Sequence, residues 1–174
     1  MPVLFGQAGE NWNRIVPIRF ATRADIPSLM ALERDSPTAA HWSKEQYEAA
    51  FSSVAPRRVT LVLEEDGLQG FLVGQASDKE WELENVVVAN HARRCGLGTE
   101  LVREFLRLVS STGGEDVFLE VRESNLAARK LYEKLQFAET GRRRTYYQEP
   151  EEDAILYHRS LAGSAFLRRT NGSY

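Results

Sequence analysis

The chain has 174 residues, of which 43% are hydrophobic, and its formal net charge is −3. This length and composition predict one globular domain with a core large enough to fold alone. The charge excludes the strongly basic surface of nucleic-acid-binding proteins, and no apolar stretch reaches the length of a membrane span. Because the single cysteine, Cys95, has no partner for an internal disulfide, we expect a cytoplasmic protein. From the charge and the lack of a long apolar stretch, we expect that it binds neither nucleic acid nor membrane.

The organisation of the chain follows from where periodic apolar patterns occur. They run through residues 15–161 without an internal repeat. The two ends, 1–14 and 162–174, are rich in Gly, Asn, Ser and Arg and have no sustained periodicity. We therefore predict one domain over 15–161 and interpret both ends as terminal tails.

The first elements of this domain are a strand and two helices. The strand lies within PIRFA at 17–21, and a helix follows within DIPSLMALE at 25–33, with Asp25 as its expected cap. A second helix begins after Ser43, because Ser43 and Gln46 have the spacing of a capping box.

Strands predominate in the rest of the domain. Asp66 and Gly67 are turn residues between two alternating segments, which predicts an antiparallel hairpin. WELENVVVA at 81–89 is the next strand, and VFLEV at 117–121 and a helix in NLAARKLYEKL at 125–135 come later. With a helix from about Gly98 and two closing strands, the predicted order is β-α-α-β-β-β-α-β-α-β-β.

A glycine-rich loop, RRCGLGT at 93–99, lies between the strand at 81–89 and this helix. The first N–H groups of a helix lack partners and carry partial positive charge, and glycine lets a phosphate approach the backbone closely. The residues alone leave two interpretations open, a phosphate site or a tight turn with solvated arginines. The loop has neither the Lys-Ser/Thr ending of a P-loop nor the three glycines of a dinucleotide fold, which disfavours nucleoside triphosphates and NAD.

Arg93, Gly96 and Gly98 match the Q/R-x-x-G-x-G/A signature of the GCN5-related N-acetyltransferases (GNAT), which the chain resembles. The resemblance implies an α/β fold with a single mixed, mostly antiparallel central sheet, splayed between its fourth and fifth strands and flanked by helices. It implies acetyl-CoA as the cosubstrate, and no metal. The implied cofactor-binding residues are Val86, Val87, Val88, Arg93, Arg94, Cys95, Gly96, Leu97, Gly98, Thr99 and Asn125.

One segment, LEVRESNLAARKLYEKLQF at 119–137, is similar to a block of the ribosomal-protein-alanine N-acetyltransferase branch of this family. The departures from that branch are Gln136 in place of a glycine and His41 in place of a proline. The resemblance implies that the acceptor is a protein N-terminal amine. The alternatives are an enzyme that acetylates a small amine, an antibiotic or lysine, and a noncatalytic acyl-CoA-binding module. The oligomeric state is not predicted.

The same resemblance implies that Glu120 is the general base and Tyr132 the general acid. Glu120 alternates away from the apolar face of its strand, and Asn125 and Tyr132 lie two helical turns apart on one face. The alternative is an ion pair of Glu120 with Arg122 or another cation, and a core position for Tyr132. Glu82 and Glu84 on the neighbouring strand are alternative partners for the acceptor ammonium.

The pKa of an amine determines how much of it is neutral and able to accept an acetyl group at pH 7. An α-amine with a pKa of about 7.8 is roughly one-seventh neutral at pH 7, whereas a lysine with a pKa of about 10.4 is almost fully charged. A single carboxylate base therefore favours the α-amine. His41, Trp42, Tyr146 and Tyr147 are candidates to line a slot for it, with core positions as the alternative for the aromatic residues.

Overall fold

The computed structural model describes residues 17–52 and 56–162. The predicted tails, 1–14 and 162–174, lie outside these residues except for Ala162. Within them, strands and helices occur in the predicted order. They are β1 Ile18–Phe20, α1 Ile26–Arg34, α2 Lys44–Ala50, β2 Arg57–Glu64, β3 Leu68–Ser77, β4 Glu80–Val88, α3 Leu97–Ser111, β5 Asp116–Arg122, α4 Leu126–Lys134, β6 Ala138–Gln148 and β7 Glu151–Ser160.

The strands form one mixed sheet in the order β1-β2-β3-β4-β5-β7-β6. β4 and β5 are parallel, and every other neighbouring pair is antiparallel. Pairing between β4 and β5 extends only as far as Leu83 and Leu119, after which the two strands separate. This separation confirms the predicted splay between the fourth and fifth strands.

A β-bulge in β4 lies where the gap begins. Val73 of β3 pairs with Asn85, whereas the preceding pair of the ladder uses Leu83, so Glu84 is the extra residue. Because an extra residue reverses the alternation of a strand, Leu83 packs with the α3 side of the sheet while Val87 packs with α1. β4 therefore presents opposite sets of side chains to its two faces before and after the bulge.

Helices cover both faces of the sheet. α3 and α4 pack on one face, where Phe105 and Tyr132 belong to the larger core cluster. α1 and α2 cover the other face over β2, β3 and β4, through Leu29 and Tyr47 among others. None of the helices described here has the length and apolar composition needed to cross a membrane.

Both predicted helix starts are confirmed, but only one of the two N-cap side chains forms a cap hydrogen bond. The Ser43 hydroxyl accepts the Gln46 N–H at 3.3 Å, and the Gln46 side chain accepts the Ser43 N–H at 2.7 Å, which completes the capping box of α2. Asp25 is the N-cap residue of α1, but its side chain forms no cap hydrogen bond. Its carboxylate instead accepts the Thr22 N–H at 2.7 Å and pairs with Arg19, and the Arg19 hydrogen bond lowers the pKa of Asp25 to about 2.

Candidate active site

The separation of β4 and β5 opens a cleft with a volume of about 570 Å³. Its walls are the second half of β4, the loop before α3, the end of β5 and the first two turns of α4. The structure brings into this cleft all but one of the predicted site residues. They are Val86, Val87, Val88, Arg93, Arg94, Gly96, Leu97, Gly98, Thr99, Glu120, Asn125 and Tyr132.

Cys95 is the predicted cofactor-binding residue that does not line the cleft. Its side chain is exposed, and its thiol lies 3.5 Å from the carbonyl oxygen of Arg93. Arg94 and Gly96 on either side of it do line the cleft. The loop thus turns the Cys95 side chain away from the space that its neighbours enclose.

Glycine is needed at the two positions of the loop for different structural reasons. Gly96 adopts the left-handed conformation, with φ +81°, and a Cβ there would meet no atom within 4 Å. A Cβ at Gly98 would lie 3.1 Å from Cδ1 of Leu131. Gly96 therefore turns the chain into α3 and leaves its backbone uncovered, whereas Gly98 permits close packing against α4.

The two arginines of the loop also differ. Arg93 donates from Nε to the carbonyl oxygen of Val88 at 3.1 Å and from Nη2 to the Ser36 hydroxyl at 2.9 Å. It therefore joins the loop to β4 and to the segment after α1. Arg94 is exposed, and it makes no hydrogen bond or ion pair with the residues that the structure describes. Of the two, Arg94 has the guanidinium available to an anion in the cleft.

Glu120 lies on β5 immediately after the last residue that pairs with β4. Its Oε1 forms an ion pair with Nε of Arg143 at 2.9 Å. The alternative of an ion pair is thus realised, but with Arg143 and not Arg122, which pairs with Glu152 at 2.8 Å. Glu120 also lines a second cavity of about 290 Å³, and among the described carboxylates it is the one common to both cavities.

Two further carboxylates on β4 lie near Glu120. Glu84, the bulge residue, forms a bidentate pair with Arg58 at 2.7 and 2.9 Å. Glu82 forms no ion pair or hydrogen bond with any residue in the described ranges. Partial burial raises the pKa of Glu82, and the charges of Glu84 and Glu120 raise it further. The second cavity is thus lined by Glu80, Glu82 and Glu120 together with one arginine, Arg143.

Tyr132 is buried on α4, with 6% of its surface exposed, and it lines the cleft. Its ring packs edge-on against Phe137, with 5.7 Å between ring centroids, while none of the described side chains hydrogen-bonds its hydroxyl. Burial raises the pKa of Tyr132, and nearby Tyr147 contributes to the same direction. The phenol therefore keeps its proton at ordinary pH and retains a free donor.

Asn125 caps α4 beside Tyr132. Its Oδ1 accepts the Ala128 N–H at 3.2 Å, which satisfies one of the unpaired donors of the first helical turn. Both Asn125 and Tyr132 line the cleft, so the spacing of two turns places them as predicted. Because Oδ1 is committed to the cap, the amide Nδ2 is the group that Asn125 offers to a ligand.

Of the four side chains predicted to line an acceptor slot, Tyr147 lies in the cleft. The guanidinium of Arg122 covers its ring at 4.1 Å, which holds the ring against the end of β5. Burial, with a smaller contribution from the charge of Glu120, raises the pKa of Tyr147 to about 12. Its phenol is therefore a neutral donor in the cleft.

The other three predicted slot residues do not line the cleft. Trp42 packs against Tyr47, with 5.5 Å between ring centroids, so its core alternative is the correct one. His41 and Tyr146 are exposed. The segment between α1 and α2 does reach the cleft, but through small side chains that carry no periodic signal, namely Ser36, Thr38, Ala39 and Ala40.

Comparison with known proteins gives consistent relatives. The sequence model of the Acetyltransferase (GNAT) family matches residues 26–137. The ribosomal protein bS18-alanine N-acetyltransferase of Salmonella typhimurium is 32% identical over 142 residues, which cover 80% of this chain and 93% of that protein. An N-alpha-acetyltransferase of Sulfolobus acidocaldarius is 27% identical over 156 residues, covering 80% of this chain and 89% of that protein.

Solved structures agree with these relatives. The crystal structure of the ribosomal-protein-S18-alanine N-acetyltransferase from Escherichia coli has a TM-score of 0.77 and 27% identity, and the match covers 92% of this chain and 100% of that chain. The splayed sheet and the glycine loop before α3 are what the resemblance implied. Since the family match spans more than half of the sequence, the chain belongs to the GNAT family and is an N-acetyltransferase.

Proposed function

We propose that this enzyme transfers the acetyl group of acetyl-CoA to the N-terminal α-amine of a protein, with Glu120 as base and Tyr132 as acid. The observation that carries the proposal is the cleft between β4 and β5. It joins a helix N-terminus and an open glycine loop to a carboxylate and an unbonded phenol. The names of the relatives from Salmonella typhimurium and Escherichia coli give an alanine of ribosomal protein S18 as the acceptor, and for this chain we propose an N-terminal alanine.

The residues present fit a thioester that carries a pyrophosphate. α3 has 15 residues and begins at the cleft, so its unpaired N–H groups and dipole favour an anion there. Gly96 leaves that backbone uncovered, and Arg94 adds a positive charge. The edges of β4 and β5 that separate after Leu83 leave backbone groups for the amides of the pantetheine arm. Acetyl-CoA supplies the activated acetyl group.

Glu120 is the carboxylate best placed to take the proton of the acceptor ammonium. It borders both cavities, whereas Glu84 is held in a bidentate pair with Arg58 and Glu82 lines only the second cavity. The side chain of Arg143 is 55% exposed and that of Glu120 is 20% exposed, so the guanidinium can move into solvent while the carboxylate stays at the cleft. An incoming ammonium can therefore replace Arg143 at little cost.

Tyr132 completes the transfer. The nitrogen of the neutral amine forms a bond to the carbonyl carbon of the thioester and releases its surplus proton to solvent. The carbon–sulfur bond then breaks with its electron pair on sulfur, which takes the Tyr132 proton, and the phenolate regains a proton from solvent. The thiol so formed has a pKa of about 8.5 by analogy with cysteine, so a proton donor assists the departure of the sulfur. The Tyr132 hydroxyl, with its raised pKa, holds its proton until that moment.

A panel of acceptors tests the proposed function. The enzyme and acetyl-CoA are incubated with an alanine-terminal peptide, with the same peptide blocked at its N-terminus and carrying one lysine, and with a set of small amines. We expect mass spectrometry to find the acetyl group on the α-amine of the first peptide. Acetylation confined to lysine or to small amines, or to no acceptor in the panel, contradicts the proposal.

A matched pair of glycine variants tests the placement of the pyrophosphate. Gly96 and Gly113 both have φ near +80°, and a Cβ at either meets no atom within 4 Å, so Gly96→Ala and Gly113→Ala carry similar backbone strain. We expect Gly96→Ala to weaken acetyl-CoA binding about tenfold, or about 1.4 kcal/mol, because its Cβ enters the cleft. Gly113→Ala, at the far end of α3, should keep wild-type affinity in calorimetric titration. Equal affinities of two folded variants would refute this placement.

A further inference from the structure

Glu33 is a buried carboxylate outside the residues assigned above. It lies in the last turn of α1 with 2% of its surface exposed. Its Oε2 accepts the Trp42 N–H at 2.9 Å and the Tyr47 hydroxyl at 2.8 Å, and its Oε1 accepts Nδ2 of Asn85 at 2.7 Å. All three partners are donors, as a carboxylate requires. One side chain thus connects α1, the start of α2 and β4.

The contribution of Glu33 to folding stability does not explain its presence. Within the described part of the chain it forms no ion pair with Lys, Arg or His, and burial of a carboxylate without a cation is costly. Ile26 and Leu29 precede it on the same buried face of α1. An apolar residue at this position would continue that face, so the hydrogen bonds point to a role in positioning.

The bond to Trp42 fixes one end of the segment that lines the cleft. Residues 36–40 supply the lining, and at His41 the backbone adopts φ +54° immediately before the Trp42 N–H reaches Glu33. The other end is fixed at Ser36, whose hydroxyl donates to the Leu32 carbonyl oxygen and accepts from Arg93. Glu33 and Arg93 thus hold the two ends of this segment.

The bond to Asn85 fixes the strand on which the gap depends. Asn85 follows the bulge residue Glu84 directly, and its side chain reaches Glu33 on the α1 side of the sheet. After this residue Val87 is buried on the α1 side, while Val86 and Val88 pack on the α3 side. The amide of Asn85 therefore stabilises the reversed alternation that orients β4 along the cleft.

We propose that Glu33 is a positioning residue for the acceptor. By holding segment 36–42 and β4 in one arrangement, it sets the distance between the acceptor-binding wall and Glu120 without touching either substrate. The inference rests on the proposed function, and it assigns residues 36–40, which line the cleft, to contact with the acceptor. It predicts that loss of the network impairs acceptor binding much more than acetyl-CoA binding, because the ladder with β3 still holds residues 86–88 of β4 in place.

Glu33→Gln and Asn85→Asp test this by an exchange of polarity. Glu33→Gln turns one acceptor oxygen into a donor that opposes Asn85, and we expect the KM of the alanine-terminal peptide to rise about tenfold. The KM of acetyl-CoA should change by less than about threefold. In the double variant Glu33→Gln/Asn85→Asp the new amide donates to the new carboxylate, while its oxygen still accepts from Trp42 and Tyr47. We expect the double variant to return the peptide KM to within about threefold of wild type.

Two measurements separate positioning from general stability. Val109→Ala, in the core at the end of α3, lowers the melting temperature without contact to the network, and it should leave the peptide KM unchanged. Hydrogen exchange of residues 36–43 should accelerate in Glu33→Gln and recover in the double variant. Unchanged peptide KM and exchange in Glu33→Gln, or no recovery in the double variant, overturns the inference. If wild type acetylates no peptide amine, the proposed function fails, and hydrogen exchange alone decides the role of Glu33 in holding the segment.

Discussion

We expect Tyr132→Phe to lower kcat by about 100-fold while the affinity for acetyl-CoA changes by less than about twofold. Phenylalanine keeps the ring that packs against Phe137 and removes only a hydroxyl that no described residue hydrogen-bonds. The loss therefore falls on protonation of the leaving thiolate and not on the core. Single-turnover acetylation gives the chemical rate, and calorimetric titration gives the affinity.

Tyr157→Phe is the matched control for this prediction. Tyr157 lies in the same core cluster, 6.2 Å from Tyr132 between ring centroids, but its hydroxyl donates to Glu133 at 2.8 Å and it does not line the cleft. Loss of the Tyr157 hydroxyl should lower the free energy of unfolding by about 1 kcal/mol and leave kcat unchanged. Near-normal single-turnover rates in Tyr132→Phe would return Tyr132 to a purely structural role.

The pH profile gives a second test of Tyr132. Burial raises its pKa, so the phenol stays protonated throughout the range in which the acceptor amine loses its proton. We therefore expect the kcat of the wild type not to fall with rising pH up to about pH 10. The result that would contradict this is a decline below about pH 10 in the wild type that is absent in Tyr132→Phe. Such a decline would mean that Tyr132 ionises in that range and that its environment is more polar than the structure indicates.

Local patterns in the sequence were sufficient for the element order and for the glycine loop. The period of two in VFLEV placed Glu120 opposite the core residues Val117, Leu119 and Val121, and their burial confirms it. The period of 3.6 in the helix at 125–135 likewise placed Asn125 and Tyr132 on the face that lines the cleft. These predictions succeed because each depends only on neighbours within one strand or helix.

The bulge at Glu84 was not predictable in this way. Continued alternation from Trp81 and Leu83 would place Asn85 and Val87 on the α3 side, whereas both lie on the α1 side. The extra residue is an ordinary strand glutamate without a glycine or proline to mark it. Long-range pairing with β3 decides its position, and the contact between Asn85 and Glu33 depends on it.

Two other misses have different causes. Glu33 had a visible signal, because it occupies the position of the apolar face that follows Ile26 and Leu29 by helical spacing, and a charged residue there indicates a buried network. The ion-pair partner of Glu120 had no such signal in the sequence. Arg143 reaches Glu120 from β6, whose register with β7 shifts between Arg143 and Tyr147, and local sequence does not encode such a shift.

We expect Glu120→Gln to lower kcat/KM by about 100-fold at pH 7 and to recover part of this loss at higher pH. The substitution keeps the shape of the side chain and removes the proton acceptor. At higher pH the solvent supplies more neutral amine, so an enzymic base matters less, and an α-amine with a pKa of about 7.8 should show recovery by about pH 9. Lysine-directed chemistry would need a still higher pH for the same recovery.

Three further variants separate loss of the base from loss of an ion pair. Arg143→Ala removes the ion-pair partner of Glu120 and should keep kcat/KM within about threefold of wild type, since the half-exposed Arg143 has no part in the proposed proton transfer. Glu82→Gln and Glu84→Gln change the neighbouring carboxylates, and each should retain most of the activity with its pH profile unaltered in form. If Glu120→Gln keeps wild-type turnover between about pH 6 and 9 with chemistry rate-limiting, Glu120 is not the base. The larger loss of Glu82→Gln or Glu84→Gln would then identify the carboxylate that takes the proton.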